Sequence, residues 1–272
     1  MRHHSFTLGP AHLTALPSGA LYWPDQNLLT VSDLHFGKSE RLARRGGALL
    51  PPYDTRATLQ KLDRDIEATS ARHIICLGDS FDDLTAADHL PEDDRRWLTR
   101  LMAGREWTWI AGNHDAGPTE IGGSHRTAAQ IGLLAFRHIA TAETPEISGH
   151  YHPKAQLPGR TAPCFLIDAA RVILPAYGAY TGGLWCDHPD LAALMQPRAR
   201  AVLTGATCLA IPMRRANRDL PAWPDHDRHR RSSSGRWSAA VRSSKLSPRQ
   251  MMWRAEVASM SRSSFCRVAR VS

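Results

Sequence analysis

At 272 residues, 42% hydrophobic and 22% charged, the chain has the size and composition of a protein with a buried core, and no apolar run approaches the roughly 18 residues of a membrane span. Its net charge of +8 is a poor nucleic-acid signal, because residues 213–272 carry 14 Lys+Arg against 4 Asp+Glu while residues 1–212 carry 20 against 22. The five cysteines (Cys76, Cys164, Cys186, Cys208, Cys266) are odd in number and scattered without a C-x-x-C pair, which excludes a disulfide framework and a zinc ribbon.

The amino terminus, "MRHHSFTLGP", lacks the apolar segment of a secretory signal and points to a cytoplasmic protein with no membrane partner. Residues 19–35, "GALYWPDQNLLTVSDLH", predict a hairpin: a short strand, a Pro-Asp turn, then a strand over 27–32 that runs into Asp33. Residues 54–70 predict a helix with Asp54 as its cap and Leu59, Leu62 and Ile66 on one face. "HIICLGDS" (73–80) reads as a buried strand ended by Gly. Residues 91–103 predict a second helix, with Pro91 at its start, acidic residues in its first turn, and Trp97, Leu98 and Leu101 inward.

"EWTWIAGNHD" (106–115) is again a strand with a polar tip. "IGLLAFRH" (131–138) and "PEISGHYH" (145–152) read as two more, and residues 164–185 are strand-rich with Gly turns. The recurring unit is strand, polar tip, helix, strand, which predicts an α/β sandwich with functional groups at the carboxyl ends of strands. From about Ile211 the chain turns rich in Arg, Ser and Pro without a sustained period. Residues 1–212 therefore read as one domain and 213–272 as a basic, disordered tail, with a nucleic-acid-binding arm as the alternative.

Five strand ends carry chemistry: Asp33-Leu34-His35; Gly78-Asp79-Ser80-Phe81-Asp82; Gly112-Asn113-His114-Asp115; His138; and Gly149-His150-Tyr151-His152. In extended backbone, residues i and i+2 face one side, so each D-x-H or H-x-H pair reaches a common point. Carboxylate, imidazole and amide oxygen together suit Mn, Fe or Zn, and the absence of Cys from the set disfavours a structural zinc. Singly, D-x-H among 14 histidines or G-D after a strand is an ordinary turn. Four such strings in order, each after an apolar run, form a metal centre. For the lone histidine, His125 in "IGGSHR" competes with His138, and His138 is preferred because it ends the apolar run "IGLLAF".

The order D-x-H, G-D-x-x-D, G-N-H-D, H, G-H-x-H resembles the calcineurin-like metallophosphoesterase superfamily. The strings "GALYWPDQNLLTVSDLHFGKSERLARRG", "SGHYHPKA" and "ILPAYGAYTGGL" resemble, within it, the ligase-associated DNA damage response endonucleases, over residues 6–212. The resemblance implies an α/β fold, a four-layer αββα sandwich, and a two-metal phosphodiesterase with Mn²⁺ as the metal, Fe and Zn being alternatives. It implies that Asp33, His35, Asp79 and His152 hold the first ion, and that Asp79, as a bridge, joins Asn113, His138 and His150 at the second. His114 would give a proton to the leaving oxygen, Asp115 would aim its ring, and Asp82 would support the ligands. DNA is the implied substrate, with ligase or helicase partners.

Substrate phosphates are expected at Lys38, Arg41 and Arg137, with Arg44 and Arg45 nearby. Two other readings remain at this stage. One is a small-molecule phosphoesterase acting on a nucleotide or pyrophosphate, which the acidic balance of residues 1–212 favours. The other is a metal-bearing scaffold in a repair complex, which has no need of a His114-Asp115 pair.

Overall fold

Alternating and wholly apolar runs along the chain pair into two sheets that share an inner core. A computed structural model describes residues 3–44, 53–82, 86–87, 89–115 and 121–213; the predicted tail beyond Met213, with Arg45 and Asp83, lies outside the described residues. The first sheet takes its strands in chain order: β1 (His4–Leu8), β2 (Ala11–Ala15), β3 (Leu21–Trp23), β4 (Leu28–Val31), β5 (His73–Leu77), β6 (Glu106–Ile110) and β7 (Ser124–Arg126). Tight turns join β1 to β4 as an antiparallel meander. The last of these is the 3₁₀ turn Pro24–Gln26, closed by Asn27 in a left-handed conformation. From β4 to β7 the pairing is parallel. Parallel neighbours need a crossover, and helices supply the first two: α1 (Lys38–Arg44) and α2 (Asp54–Thr69) between β4 and β5, and α3 (Glu92–Met102) between β5 and β6.

Spacing explains how these helices dock. Leu59, Leu62 and Ile66 fall on one face of α2 and are buried, and the helix stops at left-handed Ser70. In α3, Glu92, Asp93 and Asp94 lie at the positive end of the helix dipole, and Leu98 and Leu101 are buried. Asp54 was expected to cap α2, but Tyr53 holds the N-cap position. The buried Asp54 carboxylate instead accepts from the backbone N–H of Ser39 at 3.1 Å and from its hydroxyl at 2.5 Å, fastening α1 to α2.

The second sheet contains β8 (Ala128–Ile131), β9 (Leu134–Arg137), β10 (Glu146–Ser148), β11 (Lys154–Leu157), β12 (Arg160–Ile167), β13 (Arg171–Ile173), β14 (Arg200–Leu203) and β15 (Leu209–Pro212). Their order is β15-β14-β12-β13-β10-β9-β8, with β11 beside β12. The apolar stretch 131–138 was expected to form one strand, but Gly132, at φ 57°, turns it into the β8–β9 hairpin with Leu133 at its exposed tip.

Side chains sort into three apolar layers between four layers of structure. Leu29, Val31, Ile74 and Trp107 pack on the α2 and α3 faces; Leu28, Ile75, Leu77 and Ile110 point the other way, against Phe136, Ile147, Phe165 and Val202 of the second sheet. Beyond that sheet, Cys164, Leu166 and Leu203 lie under Leu191 of the short helix α4 (Pro189–Leu194) and Met195. The fold is an αββα sandwich, its outer layer on the second sheet formed, among the described residues, by α4. No described helix is long and apolar enough to cross a membrane.

Candidate metal centre

Every polar tip picked out in the sequence follows the carboxyl end of β4, β5, β6, β9 or β10, and the inter-strand pairing continues past the strand ends to hold those tips together. Asp33 donates its N–H to Gly78 O (3.2 Å) and His35 to Asp79 O (2.9 Å), so the first two tips run side by side. Gly149 N–H reaches His138 O at 3.0 Å and Gly178 N–H reaches Asp33 O at 3.0 Å. Two close approaches require glycine. A Cβ at Gly112 would lie 2.2 Å from the Asp79 carboxylate, and one at Gly149 would lie 1.7 Å from Ser32 Oγ and 2.8 Å from Asp33 Oδ2.

Two clusters of ligand atoms result. Asp33, His35 and His152 bring one donor atom each within 4.8 Å of one another, and so do Asp79, His138 and His150. The clusters adjoin: His138 Nδ1 lies 3.9 Å from Asp33 Oδ1, and His150 N–H donates to Asp33 Oδ2 at 3.0 Å. Asn113 enters the second cluster through Oδ1, 2.9 Å from His138 Nε2. His138 Nδ1 sits 2.7 Å from Leu77 O, which only accepts, so Nδ1 carries a proton and Nε2 faces the cluster.

Buried polar atoms test whether a cation fits. Asp33 Oδ1, His35 Nε2 and His152 Nε2 are sequestered without a hydrogen-bond partner, while His35 Nδ1 faces the Asp82 carboxylate at 2.9 Å. His152 Nε2 lies 3.1 Å from Asp33 Oδ1, close but without hydrogen-bond alignment. Burying such groups unsatisfied is costly, and a divalent ion satisfies all of them at once. The electrostatics agree. Burial opposes charge at Asp33, yet His152 and His138 hold its carboxyl below the usual range; burial opposes a proton on His138, yet Asp79 and Asp33 push it up to about 9. Burial, with the neighbouring His138 charge adding to it, pushes His150 down to about 4.

Strain concentrates at the same place. Asp33, His35, Asp79, His150 and His152 all adopt positive φ, a region that side-chain-bearing residues seldom occupy and that clusters at functional sites.

Two expected roles, those of Asp115 and Arg41, need correction. Asp115 does not engage the His114 ring. Its buried carboxylate accepts from the backbone N–H groups of Asp79 (2.9 Å), Ser80 (2.7 Å), Phe81 (3.2 Å) and Gly112 (3.0 Å), because four converging strand-end donors outweigh one solvent-facing ring. Arg41 is not held out for substrate, since its Nε donates to buried Asp82, whose other oxygen lies 2.9 Å from His35 Nδ1. Arg137 pairs with Glu143.

Lys38 is half-buried at the start of α1. His114 sits at the rim with its side chain 39% exposed, its N–H on Asp79 Oδ1 at 2.9 Å and its ring 5.5 Å from that of His35. His125, the competitor of His138, stands on β7 with its ring 6.5 Å from Trp109, outside both clusters. Ser32 was not foreseen. Its hydroxyl donates to Asp33 Oδ2 at 2.5 Å, and the hydroxyl beside the ligand aspartate was the signal for it.

Comparison with known proteins places this geometry. The family description of calcineurin-like phosphoesterases matches residues 27–204, and the chain belongs to that family. It is a metal-dependent hydrolase of phosphate esters. Among solved structures it is similar to the nuclease MPE of Pseudomonas putida, with 28% sequence identity and a TM-score of 0.62 over 77% of this chain and 100% of that one. No curated protein sequence matches it significantly.

Proposed function

We propose that the protein is a two-metal nuclease acting on DNA. The observation that carries this reading is the pair of adjoining three-residue ligand clusters at the strand ends, and the likeness to a solved nuclease supports it. Asp33, His35 and His152 would hold one ion and Asn113, His138 and His150 the other, with Asp79 shared between them. Oxygen and imidazole donors without thiolate suit Mn²⁺, Fe or Zn, and Mn²⁺ is the ion proposed. The bound ions supply polarisation of the phosphoryl oxygens and activation of a water.

The chain's own residues do the rest. Asp82 holds His35 by Nδ1 and leaves Nε2 for ligation, and Leu77 O does the same for His138. His114, exposed at the rim and anchored by its N–H on Asp79, donates a proton to the leaving oxygen. Asp115 fixes the loop that carries it. The working domain is residues 1–212, acting in the cytoplasm, and the basic tail is dispensable for hydrolysis.

The test sets bis-p-nitrophenyl phosphate beside a fluorescent single-stranded DNA, each with Mn²⁺ and with chelator, and with Asp79→Asn as the control for contaminating nucleases. Metal-dependent cleavage of both supports the nuclease. Cleavage of the small ester alone moves the assignment to a small-molecule phosphoesterase.

A further inference from the structure

Eight described residues other than glycine adopt a left-handed backbone. Asn27 and Ser70 close helical turns, and five are the proposed ligands Asp33, His35, Asp79, His150 and His152. The eighth is Tyr180, at φ 56°, which neither ends a helix nor lies in a ligand cluster. A bulky side chain in this region marks a genuinely constrained position. Tyr180 is also 48% exposed, so burial of its ring does not account for the conformation.

The loop that carries Tyr180 is fastened to the metal centre at both ends. Gly178 N–H is on Asp33 O at 3.0 Å; His152 Nδ1 lies 3.3 Å from Gly182 O; Leu184 N–H donates to Tyr151 O at 3.2 Å. Lys61 contributes from α2, donating to Tyr177 O and to Ser18 O. From His152 a cavity of about 190 Å³, bordered by Lys154, Thr181 and Gly182, adjoins a groove of about 1030 Å³ bordered by Tyr180, Thr181 and exposed Arg64; Pro163, Ala176 and Thr181 line both. The same loop exposes Trp185, with Lys154 Nζ 4.4 Å above its ring centre. A track thus leaves the first ligand cluster past a lysine, then an aromatic ring held outward, then an arginine.

We propose that Tyr180 is a base-stacking residue: its ring takes one unpaired nucleobase of the substrate strand as that strand passes from the metal centre into the groove. The inference rests on the nuclease reading. Every base offers a π-face to an aromatic ring, whereas bases within a duplex keep theirs covered by their neighbours. Lys154 and Arg64 lie along the track, where cations meet the strand's phosphates.

The experiment uses the full chain with Mn²⁺ and a fluorescent single-stranded oligonucleotide. Tyr180→Asn keeps a residue that tolerates the left-handed backbone and removes the ring. It is expected to raise KM roughly 5- to 100-fold, as the loss of one stacked base does, with kcat and bound Mn²⁺ unchanged. Tyr180→Trp should restore KM and Tyr180→Leu should not.

A single abasic nucleotide stepped along the strand supplies the second reading. At one position it should cost the wild type the same factor and cost Tyr180→Asn nothing further. An unchanged KM in Tyr180→Asn, rescue by Leu, or an abasic penalty that persists in Tyr180→Asn would overturn the stacking role while leaving the nuclease intact. A wild type that hydrolyses bis-p-nitrophenyl phosphate and spares every oligonucleotide overturns the nuclease reading, and the stacking role with it.

Discussion

The Asp33–His35–His152 cluster and the Asp79–His138–His150 cluster are built from the same side-chain types and are held by different means. In the second, the ligands are knit to one another and to the backbone: His138 to Leu77 O and to Asn113, His150 Nδ1 to His138 Nε2 at 3.1 Å, and Asp79 to the His114 N–H. In the first, three buried donor and acceptor atoms lack hydrogen-bond partners; main chain reaches Asp33 through the His150 N–H and His152 through Gly182 O, while His35 rests on the Asp82 side chain and Asp33 also on the Ser32 hydroxyl. A centre held by main chain resists single substitutions outside its ligands. One that leans in part on side chains can be loosened at those contacts, and that difference is open to measurement.

The largest effect is expected where the two clusters are joined. Asp79→Asn should remove both ions and lower turnover by at least about 10³-fold, since several kcal/mol of charge stabilisation goes with the ions; metal analysis of the purified protein checks the cause. His114→Ala should cost roughly 10²–10⁴-fold in kcat with both ions retained. Loss of metal from that variant would make His114 a ligand and not an acid. Asp115→Ala should lower the stability of the domain by about 3 kcal/mol or more, because it strands four backbone donors at the strand ends; thermal or denaturant unfolding reads this out. A fall in kcat at unchanged stability would restore the ring-aiming role instead. Asp82→Asn should be the mildest, weakening metal affinity roughly 10–100-fold and at the first cluster alone. Equal weakening at both sites would erase the contrast drawn above.

What the sequence made legible follows from the range of the forces involved. The β4–α2–β5–α3–β6 succession was readable because each element is a local pattern, an apolar run closed by glycine or an i, i+3, i+7 face. Strands β14 and β15 were not, since their partners are remote: Cys164 faces Leu203 across the sheet. The D-x-H and G-H-x-H strings were informative as polar tips on apolar strands, but not through the i, i+2 geometry of extended chain: Asp33, His35, His150 and His152 turn into left-handed backbone, and His150 and His152 join different clusters. Competition between partners leaves no such mark. Arg41 stands beside the first ligands in sequence, yet a buried carboxylate 41 positions on takes its guanidinium. Asp115 is adjacent to His114 and is captured by donors of another strand's tip.

The ligands of each cluster are drawn from both sheets, and this has a consequence for the life of the chain. A ribosome that has delivered the first sheet and its helices has made Asp33, His35 and Asp79 but neither His150 nor His152. A nascent or proteolytically clipped chain ending before those residues holds a complete set of ligands in neither cluster. The hydrolytic centre is therefore armed only by the finished domain, and its bound metal doubles as a certificate of assembly.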